Sequence, residues 1–362
     1  MGRIVTIIGT RPEIIKMAPV VQALDALGHE HVLVHSGQHY DLMMDRIFFR
    51  DMRLREPDRQ FELKGEPPHL QVATTMRQVA GVTKDADLVI VHGDTNTTVA
   101  GALLANKQGR RLAHVEAGIR SFDKTMPEEI NRIIADQLSD LLFAPTPTSR
   151  ENLRQEHVTD GIHVVGNSVI DALQQNIAIA ETRSDALTRL GMQPRRYIVL
   201  TFHRAENVES RERLARALDA FEAVAHESGL PILFPIHPRT AKRLREFGLE
   251  NRADAVATLR RVEPTGYLDM LVLEKNAALV MTDSGGLQEE SCFFRVPCVT
   301  LRENTERPET LAIRANVLAG TEPSRVAAAV RSQLASPRDW PNPYGDGTTA
   351  RQIAAVVNAA LP

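Results

Sequence analysis

Short, continuous apolar runs recur along the chain, and longer stretches with an apolar stripe separate them. Continuous runs are typical of parallel strands buried on both faces, and apolar stripes are typical of helices that pack on a sheet. Their alternation predicts an α/β protein with doubly wound parallel sheets. The predicted strands are Ile4–Ile8, Val32–Val34, Leu88–Val91, Leu112–Val115, Ile198–Leu200, Ile232–Phe234 and Leu279–Met281.

The helical pattern and the chain length predict two domains. The helices that we predict with defined ends are residues 12–28, residues 169–190 and Thr349–Ala360. At 362 residues the chain is long enough for two domains with separate cores. Ligands of open α/β sheets bind outside the carboxyl ends of the strands, so two such domains are expected to face a cleft. The expected divisions are 1–167 for the first domain, 168–340 for the second, and 341–362 for a tail helix that packs back on the first.

Composition narrows the class of protein. The chain is 43% hydrophobic and 25% charged, as in soluble globular proteins. A net charge of −3 and a pI near 6.5 argue against a nucleic-acid partner. No apolar run approaches the roughly 18 residues of a membrane span, and no signal peptide precedes the first strand. Because the only two cysteines are not in a CxxC arrangement, we expect a reduced, cytoplasmic protein without a membrane partner.

The stretch from Ala277 to Glu290 has the order strand, glycine pair, helix. At Ser284-Gly285-Gly286 the start of the helix would present backbone N–H groups and a positive dipole end, which suits a phosphate. Glu290 follows one turn later, where its carboxylate could accept hydrogen bonds from ribose hydroxyls. The alternative is an ordinary strand-to-helix turn capped by Ser284.

Charged side chains also gather where strands of the first half end. Arg11 and Lys16 follow the first strand and could meet a phosphate, or they could belong to a capped helix start with a solvated lysine. Asp94 follows another strand, where it is either a reactive acid or a helix N-cap. Glu116 closes a buried strand, where an unpaired carboxylate is costly. Glu128 opens a helix, a position that acids favour in any case.

The second half repeats this arrangement with basic residues. One strand ends in His203-Arg204, the next in His237-Pro238-Arg239, and an extended segment supplies Arg307. A single loop histidine is usually structural, but two such strand ends beside a phosphate site point to function. Acids in one half with histidine, arginine and a helix start in the other suggest proton chemistry on a diphosphate ester.

Metal binding is the weakest interpretation of the twelve histidines. No H-E-x-x-H motif is present. His31 and His35 are four residues apart, but they lie on a predicted strand and would not share a helical face.

Taken together, these motifs resemble those of the non-hydrolysing UDP-N-acetylglucosamine 2-epimerases, in order and over almost the whole chain. The resemblance implies two Rossmann-like domains of the glycosyltransferase-B type with UDP in the cleft. It also implies interconversion of UDP-GlcNAc and UDP-ManNAc without nicotinamide or metal cofactor, in polysaccharide biosynthesis, by a homodimer. The matching segments are residues 9–19 (GTRPEIIKMAP), 91–98 (VHGDTNTT), 114–123 (HVEAGIRSFD), 126–132 (MPEEINR), 164–172 (VVGNSVIDA), 202–208 (FHRAENV), 282–290 (TDSGGLQEE), 305–310 (TERPET) and 342–347 (NPYGDG).

The resemblance assigns roles to individual residues. It implies a catalytic group, phosphate and substrate contacts, and a UDP site. Met270 stands where members of the family place a phenylalanine against the uracil. The implied catalytic residues are Asp94, Glu116, Glu128 and His203; the phosphate and substrate contacts are Arg11 and Lys16; the UDP site is Ser284, Gly285, Gly286, Glu290 and Arg307.

The implied reaction eliminates UDP while the C2–H bond breaks, giving 2-acetamidoglucal, and then adds UDP back with protonation from the other face. It needs a protic group on each face, but which acid is the base stays open. The alternatives are a hydrolysing 2-epimerase that releases ManNAc and UDP, a UDP-sugar glycosyltransferase of the same architecture, and a sugar-nucleotide sensor. Relatives that act on UDP-diacetamido-uronic acids tend to have Ala-Arg-Pro-Gln where this chain has Thr10–Glu13.

A second nucleotide site, which activates some bacterial relatives, is not expected. Those relatives carry Gln-His-Arg in the segment that here reads Gln38-His39-Tyr40-Asp41. Asp41 and Glu66 would place negative charge where a diphosphate would bind, and like charges in a partly buried site are costly. We therefore expect hyperbolic kinetics with UDP-GlcNAc.

Overall fold

The computed structural model describes residues 1–38, 48–63 and 65–361. It contains two sheets with helices between successive strands, so the predicted α/β class is confirmed. The chain divides into two compact units, Met1–Gln175 with Tyr344–Pro362, and Asn176–Pro343. The first division lies inside helix α7 (Ser168–Arg183), a few residues after the expected position.

The first unit is built on a seven-stranded sheet of order β3-β2-β1-β4-β5-β6-β7, in which all neighbours are parallel. The strand order reverses between β1 and β4, which is the switch point where ligands bind in doubly wound sheets. Its strands are β1 (Arg3–Ile8), β2 (Glu30–His35), β3 (Arg59–Gln60), β4 (Leu88–His92), β5 (Arg111–Val115), β6 (Leu141–Ala144) and β7 (Ile162–Val164). Its helices are α1 (Arg11–Asp25), α2 (residues 48–51), α3 (Pro68–Thr83), α4 (Asn96–Lys107), α5 (Pro127–Leu138), α6 (Pro147–Gln155), the first part of α7, and α17 (Thr349–Ala360).

The second unit has a six-stranded parallel sheet of order β10-β9-β8-β11-β12-β13. Its switch point lies between β8 and β11. Its strands are β8 (Ile198–Thr201), β9 (Ile232–Pro235), β10 (Leu259–Val262), β11 (Leu279–Thr282), β12 (Cys298–Thr300) and β13 (Asn316–Leu318). Its helices after α7 are α8 (Ala186–Arg189), α9 (Ala205–Val208), α10 (Arg211–Ser228), α11 (Pro238–Glu246), α12 (Glu250–Ala255), α13 (Tyr267–Lys275), α14 (Gly285–Phe293), α15 (Pro308–Ala312) and α16 (Pro323–Leu334).

Each predicted strand is present, and the apolar runs form the buried sheets as the pattern indicates. Helix α1 buries the predicted face, with Ile14, Met17 and Val21 inaccessible to solvent. The helix begins one residue before Pro12 and ends at Asp25, three residues before Gly28. Gly28 instead adopts a left-handed backbone (φ +79°) in the turn after the helix.

The single polar helix predicted over 169–190 is wrong, because the structure has two helices there, α7 and α8. Ser184 separates them. Its hydroxyl donates to Asp269 Oδ1 at 2.6 Å and accepts from the backbone N–H of Ala186 at 3.2 Å. A serine side chain that bonds a nearby backbone N–H competes with helix continuation.

The terminal helix α17 occupies Thr349–Ala360, as predicted, and packs against α1 within the first unit. Its start is held by Asp171, whose Oδ1 accepts from the backbone N–H of Ala350 at 2.9 Å. Across the described ranges, no helix is both long and apolar enough to cross a membrane.

Candidate active site

The loops that follow β1, β4 and β5 carry the charged residues of the first unit. Parallel strands end at one edge of the sheet, so these loops are neighbours, and the first two flank the switch point. Residues 9–16 follow β1, Asp94 follows β4, and Glu116 follows β5. The fold therefore gathers three segments that are far apart in sequence.

Lys16 and Glu116 form a buried ion pair in this group. The distance from Lys16 Nζ to Glu116 Oε1 is 2.5 Å, and both residues are less than 10% exposed. Asn167 Nδ2 donates to the same oxygen at 2.8 Å. Glu116 also has φ +69°, a left-handed backbone that costs energy for a residue with a side chain. A carboxylate held by a cation and an amide, on a strained backbone, is typical of a functional position.

A neutral histidine lies behind this pair. His92 Nε2 is 3.7 Å from Glu116 Oε2, and the residue is 3% exposed. Burial, the largest influence, lowers the pKa of His92 to about 4, although the charge of Glu116 acts in the opposite direction. The imidazole is therefore neutral at pH 7, and Glu116 obtains its compensating charge from Lys16.

Asp94 is not the N-cap of the helix that follows it, so that interpretation is wrong. Thr95 caps α4, accepting from the backbone N–H of Thr98 at 3.2 Å. The carboxylate of Asp94 is ion-paired to the Arg132 guanidinium, and its backbone carbonyl accepts from Asn131 Nδ2 at 2.8 Å. The acid is thus held in place by helix α5 while about a third of its side chain stays exposed.

The two adjacent glutamates of α5 have different environments. Glu128 is half-buried in the first turn of the helix. Glu129 is buried and accepts from the backbone N–H groups of Ser121 (2.8 Å) and Phe122 (2.9 Å). It also accepts from Arg132 Nη1 at 3.2 Å. Glu129 therefore fixes the loop after β5 and the arginine that holds Asp94.

Glu13 is a further buried carboxyl at this edge. It accepts from the backbone N–H of Gly9 (2.8 Å), from Thr10 Oγ1 (2.9 Å) and from Thr95 Oγ1 (3.0 Å). Burial raises its pKa to about 7, and the hydrogen bonds offset only part of that effect. Glu13 connects the loop after β1 to the loop that carries Asp94.

A buried hydrogen-bond network holds the two segments that carry Asp94 and Glu116. His114 lies on β5, with Nδ1 2.7 Å from Asp136 Oδ1 and Nε2 2.8 Å from the carbonyl oxygen of Gly93. Arg120 Nη2 is 2.7 Å from Asp136 Oδ2. Burial alone would raise the pKa of Asp136, but His114 and Arg120 outweigh it and hold that pKa below its usual range.

In the second unit, His203 and Asp283 meet across the switch point. Asp283 is fully buried, and His203 Nδ1 is 2.9 Å from its Oδ1. The other oxygen, Oδ2, accepts from the backbone N–H groups of His203 (2.9 Å) and Arg204 (2.8 Å) and from Asn207 Nδ2 (3.1 Å). Burial opposes ionisation, but these donors hold the pKa of Asp283 below its usual range. A carboxylate at this distance from Nδ1 favours the imidazole tautomer that carries its proton there, which leaves Nε2 for other partners. The ring of His237 lies 5.3 Å from that of His203, between centroids.

The turn after β11 is not closed by Ser284, because its side chain makes no capping hydrogen bond to α14. Neither Gly285 nor Gly286 has a left-handed backbone. A Cβ at either glycine would meet no atom nearer than 3.8 Å, so the fold itself does not require glycine here. Two glycines at a helix start where the fold does not require them suit an anion that approaches the backbone N–H groups closely.

The other residues implied for the UDP site lie around this turn. Arg307 is buried, is ion-paired with Glu289, and comes within 3.8 Å of a Cβ built on Gly285. Glu290 Oε1 comes equally close to a Cβ built on Gly286. Met270 is half-buried on α13 and accepts a weak hydrogen bond from Thr265 Oγ1 at 3.7 Å.

Arg11 opens α1 in the first unit, with its guanidinium carbon 5.9 Å from the centre of the Phe48 ring.

His31 and His35 both lie on β2, as expected, and His31 bonds Asp25 at 2.7 Å. Within the described parts of the chain, no group of three His, Cys, Asp or Glu side chains is arranged to hold a metal ion. Of the residues invoked against a second nucleotide site, Tyr40 and Asp41 lie outside the described residues, whereas Glu66 is half-buried just before α3.

Comparison with known proteins shows which family the chain belongs to. Residues 22–358 match the family model described as UDP-N-acetylglucosamine 2-epimerase. The sequence is 45% identical, over 99% of this chain and 98% of its relative, to the UDP-N-acetylglucosamine 2-epimerase of Methanococcus maripaludis. The chain belongs to the UDP-N-acetylglucosamine 2-epimerase family. The resemblance inferred from the motifs is confirmed.

Other members of the epimerase family are similar over the same length. The structure of the UDP-GlcNAc 2-epimerase of Methanocaldococcus jannaschii, solved in complex with UDP-GlcNAc and UDP, superposes with a TM-score of 0.93 at 42% identity and covers 99% of both chains. The UDP-2,3-diacetamido-2,3-dideoxy-D-glucuronate 2-epimerase of Pseudomonas aeruginosa is 36% identical over 97% of this chain and 98% of its own.

Several residues of this epimerase-family chain that contact the candidate site residues were not singled out from sequence. Asn167, Arg132 and Asp283 each lie within a motif, but nothing in the motif says which acid or histidine they contact. A buried charged residue in a loop that follows a strand is the available signal, since such a group needs a partner.

Proposed function

We propose that the protein interconverts UDP-GlcNAc and UDP-ManNAc by epimerising C2 of the sugar without hydrolysis. The observation that carries the proposal is the buried Lys16–Glu116 pair at the first switch point. A buried carboxylate that is paired with a cation is suited to proton transfer at C2, a step that a glycosyltransferase or a sensor does not carry out. The full-length similarity to 2-epimerases supports the same conclusion.

The reaction that we propose is elimination followed by re-addition. No carbonyl group is adjacent to C2, so simple deprotonation there is difficult. A base takes the C2 proton, the C–H electron pair forms the C1=C2 double bond, and UDP leaves C1 with the bonding electrons. Addition of UDP to C1 and of a proton to the opposite face of C2 completes the inversion. Asp94, Glu116 and Glu128 are the proposed acids, and two of them serve the two faces.

The second unit is proposed to bind UDP. The open helix start at Ser284, Gly285 and Gly286 would receive the pyrophosphate, with Arg307 adding positive charge. Glu290 would accept from the ribose, and Met270 would pack against the uracil. The charge that develops on the departing UDP needs donors that are stronger in the transition state than before it.

His203 is the proposed donor to the leaving group, together with Arg11 and Lys16. Its Nδ1 is directed to Asp283, so Nε2 is the nitrogen that would face the phosphate. The Asp283 carboxylate would stabilise the imidazolium form as negative charge builds up on UDP.

The experiment that tests this proposal adds UDP-GlcNAc alone to the purified protein and follows the products by chromatography and NMR. A new sugar nucleotide, UDP-ManNAc, is expected, with equal equilibrium mixtures from either substrate. Accumulation of free ManNAc and UDP would show a hydrolysing enzyme instead. Binding of UDP-GlcNAc without any product would identify a sensor or a glycosyltransferase that lacks its acceptor.

We also propose that the enzyme works as a cytoplasmic homodimer. The two cysteines, Cys292 and Cys298, are buried free thiols, and burial raises the pKa of each to about 12, which suits a reducing compartment. Light scattering after gel filtration tests the dimer, and a mass of one chain would contradict it.

A further inference from the structure

Helix α13 places an unexpected acid beside the proposed ribose contact. Tyr267 and Glu274 lie seven residues apart on this helix and therefore on the same face. Glu274 is completely buried and Tyr267 is 7% exposed. Helix α13 packs against α14, the helix that carries Glu290, and neither carboxyl oxygen of Glu274 has a hydrogen-bond donor among the described residues. The charge of Glu290 acts on the Glu274 carboxyl group. A fully buried carboxyl group thus lies next to a half-buried one.

Ionisation of Glu274 beside the Glu290 carboxylate is opposed both by desolvation and by like charge. Glu290 is only half-buried, whereas Glu274 is inaccessible to solvent, so the proton resides on Glu274. Burial, followed by the charge of Glu290, raises the pKa of Glu274 well above its ordinary value. A neutral carboxylic acid carries one O–H donor, and the adjacent carboxylate is its natural acceptor.

We propose that Glu274 is a positioning residue that, as a neutral acid, donates a hydrogen bond to Glu290 and holds its carboxylate toward the ribose hydroxyls of UDP. This rests on the proposed function, because it assumes that Glu290 contacts the nucleotide. A charge-assisted hydrogen bond restricts the carboxylate of Glu290 before the nucleotide arrives and leaves its other lone pairs for two hydroxyls. Part of the ordering that binding requires is then already present in the free protein.

The other groups near Glu274 support a neutral acid. Tyr267 lies on the same helix, Tyr197 precedes β8, and Cys298 begins β12. Each is uncharged at neutral pH when its proton is retained, and burial raises the pKa of Tyr267 and of Cys298. Tyr197 donates its hydroxyl to the carbonyl oxygen of Leu273 at 2.5 Å. The negative charge of the group therefore belongs to Glu290.

The test compares two variants of nearly equal size, Glu274→Gln and Glu274→Met. Glutamine keeps an N–H donor for Glu290, whereas methionine fills the space without one. Calorimetric titration with UDP at pH 7.5 is expected to give a dissociation constant within about twofold of wild type for glutamine and about tenfold weaker for methionine. Repeating it with 2′,3′-dideoxy-UDP should remove most of the difference, because the ribose hydroxyls are gone.

A pH series adds a measurement that a merely structural role would not change. As the pH is raised, UDP affinity of the wild type is expected to fall once Glu274 loses its proton, because the donor disappears and a second charge faces Glu290. The Glu274→Gln variant should lack this decline. Thermal unfolding checks that both variants are folded. The Glu274→Met variant should be at least as stable as the wild type at pH 7, because the substitution removes a buried carboxyl group.

Equal affinity for UDP in the methionine variant and the wild type would overturn the inference, and so would an equal loss in both variants. If the wild type epimerises UDP-GlcNAc and binds UDP while either result is found, only the role of Glu274 is wrong. If the wild type neither binds UDP nor turns over UDP-GlcNAc, the proposed function itself fails.

Discussion

Lys16 and Glu116 are 100 positions apart in the sequence, yet the ammonium of one lies 2.5 Å from the carboxylate of the other. The pair joins the helix after β1 to the end of β5, on either side of β4 in the sheet. The desolvation of two buried charges is costly and is offset only when both are present and well bonded. We interpret this arrangement as a carboxylate that the fold holds in one position for proton transfer, with Lys16 as its counter-charge.

Changing Glu116 to glutamine is expected to lower kcat by about 10²-fold or more, because the group can no longer exchange a proton. It should also leave Lys16 without its counter-charge and reduce the free energy of unfolding by roughly 3 kcal/mol. Steady-state kinetics and urea unfolding measure the two effects. A variant with near-normal kcat would show that Glu116 carries no proton in the reaction.

Substitutions at Asp94 and Glu290 are expected to change different quantities, kcat for the first and UDP affinity for the second. Asp94→Asn should lower kcat by about 10²-fold with little change in UDP affinity, because a proton-transfer group acts mainly in the transition state. Glu290→Ala should mainly weaken UDP binding, since a ribose contact exists in the ground and transition states alike. Kinetics paired with calorimetry distinguishes these, and the reverse pattern would require the assignments to be exchanged.

The contact between Asp283 and His203 predicts the outcome of Asp283→Asn. One oxygen of the amide can still accept from the two backbone N–H groups, but its NH₂ would then face His203 Nδ1. The imidazole would then carry its single proton on Nε2, and the imidazolium form that faces the departing UDP would lose the counter-charge that the Asp283 carboxylate supplies. We expect kcat to fall about 10²-fold or more, with ¹⁵N NMR reporting the tautomer. An unchanged tautomer and an unchanged kcat would contradict the role given to Asp283.

Glu13 predicts a pH-dependent stability. Its pKa in the folded protein is about 7 against an ordinary value of 4.5, a difference that corresponds to about 3 kcal/mol. Because the folded value is the higher one, this contribution is fully present below pH 4.5 and is lost as the pH rises through 7. Denaturant unfolding of wild type and Glu13→Gln between pH 4.5 and 8 should therefore show about 3 kcal/mol more loss for wild type. Parallel curves would contradict it.

Sequence was sufficient for the seven strands that it predicted and for the terminal helix, because a continuous apolar run is typical of a buried parallel strand. The short strands β3, β6, β7, β10, β12 and β13 were not among the predicted ones. It did not predict the break at Ser184, which depends on a bond to Asp269, 85 residues away. Local propensity contains no information about such a partner.

The site was predictable by position more than by contact. Acids and histidines that follow strands were identified correctly as gathered at sheet edges, since the edge is a consequence of topology. The partners of these residues were not predictable. Thr95 and Asp94 are equally plausible N-caps in sequence, and only the fold shows that Thr95 caps α4 while Asp94 forms an ion pair with Arg132. Glu274 was missed because a glutamate on a helix ordinarily points to solvent.

The measurement that tests the central claim most directly is proton NMR of UDP-GlcNAc incubated with the purified protein in D₂O. The elimination mechanism predicts that UDP-ManNAc forms with solvent deuterium at C2. One side chain removes the proton from one face, and a different side chain, which exchanges with D₂O, delivers a deuteron to the other face. It predicts the same result with EDTA present and without added nicotinamide. Epimerisation that retains the original C2 proton, or that stops in EDTA, would contradict the account.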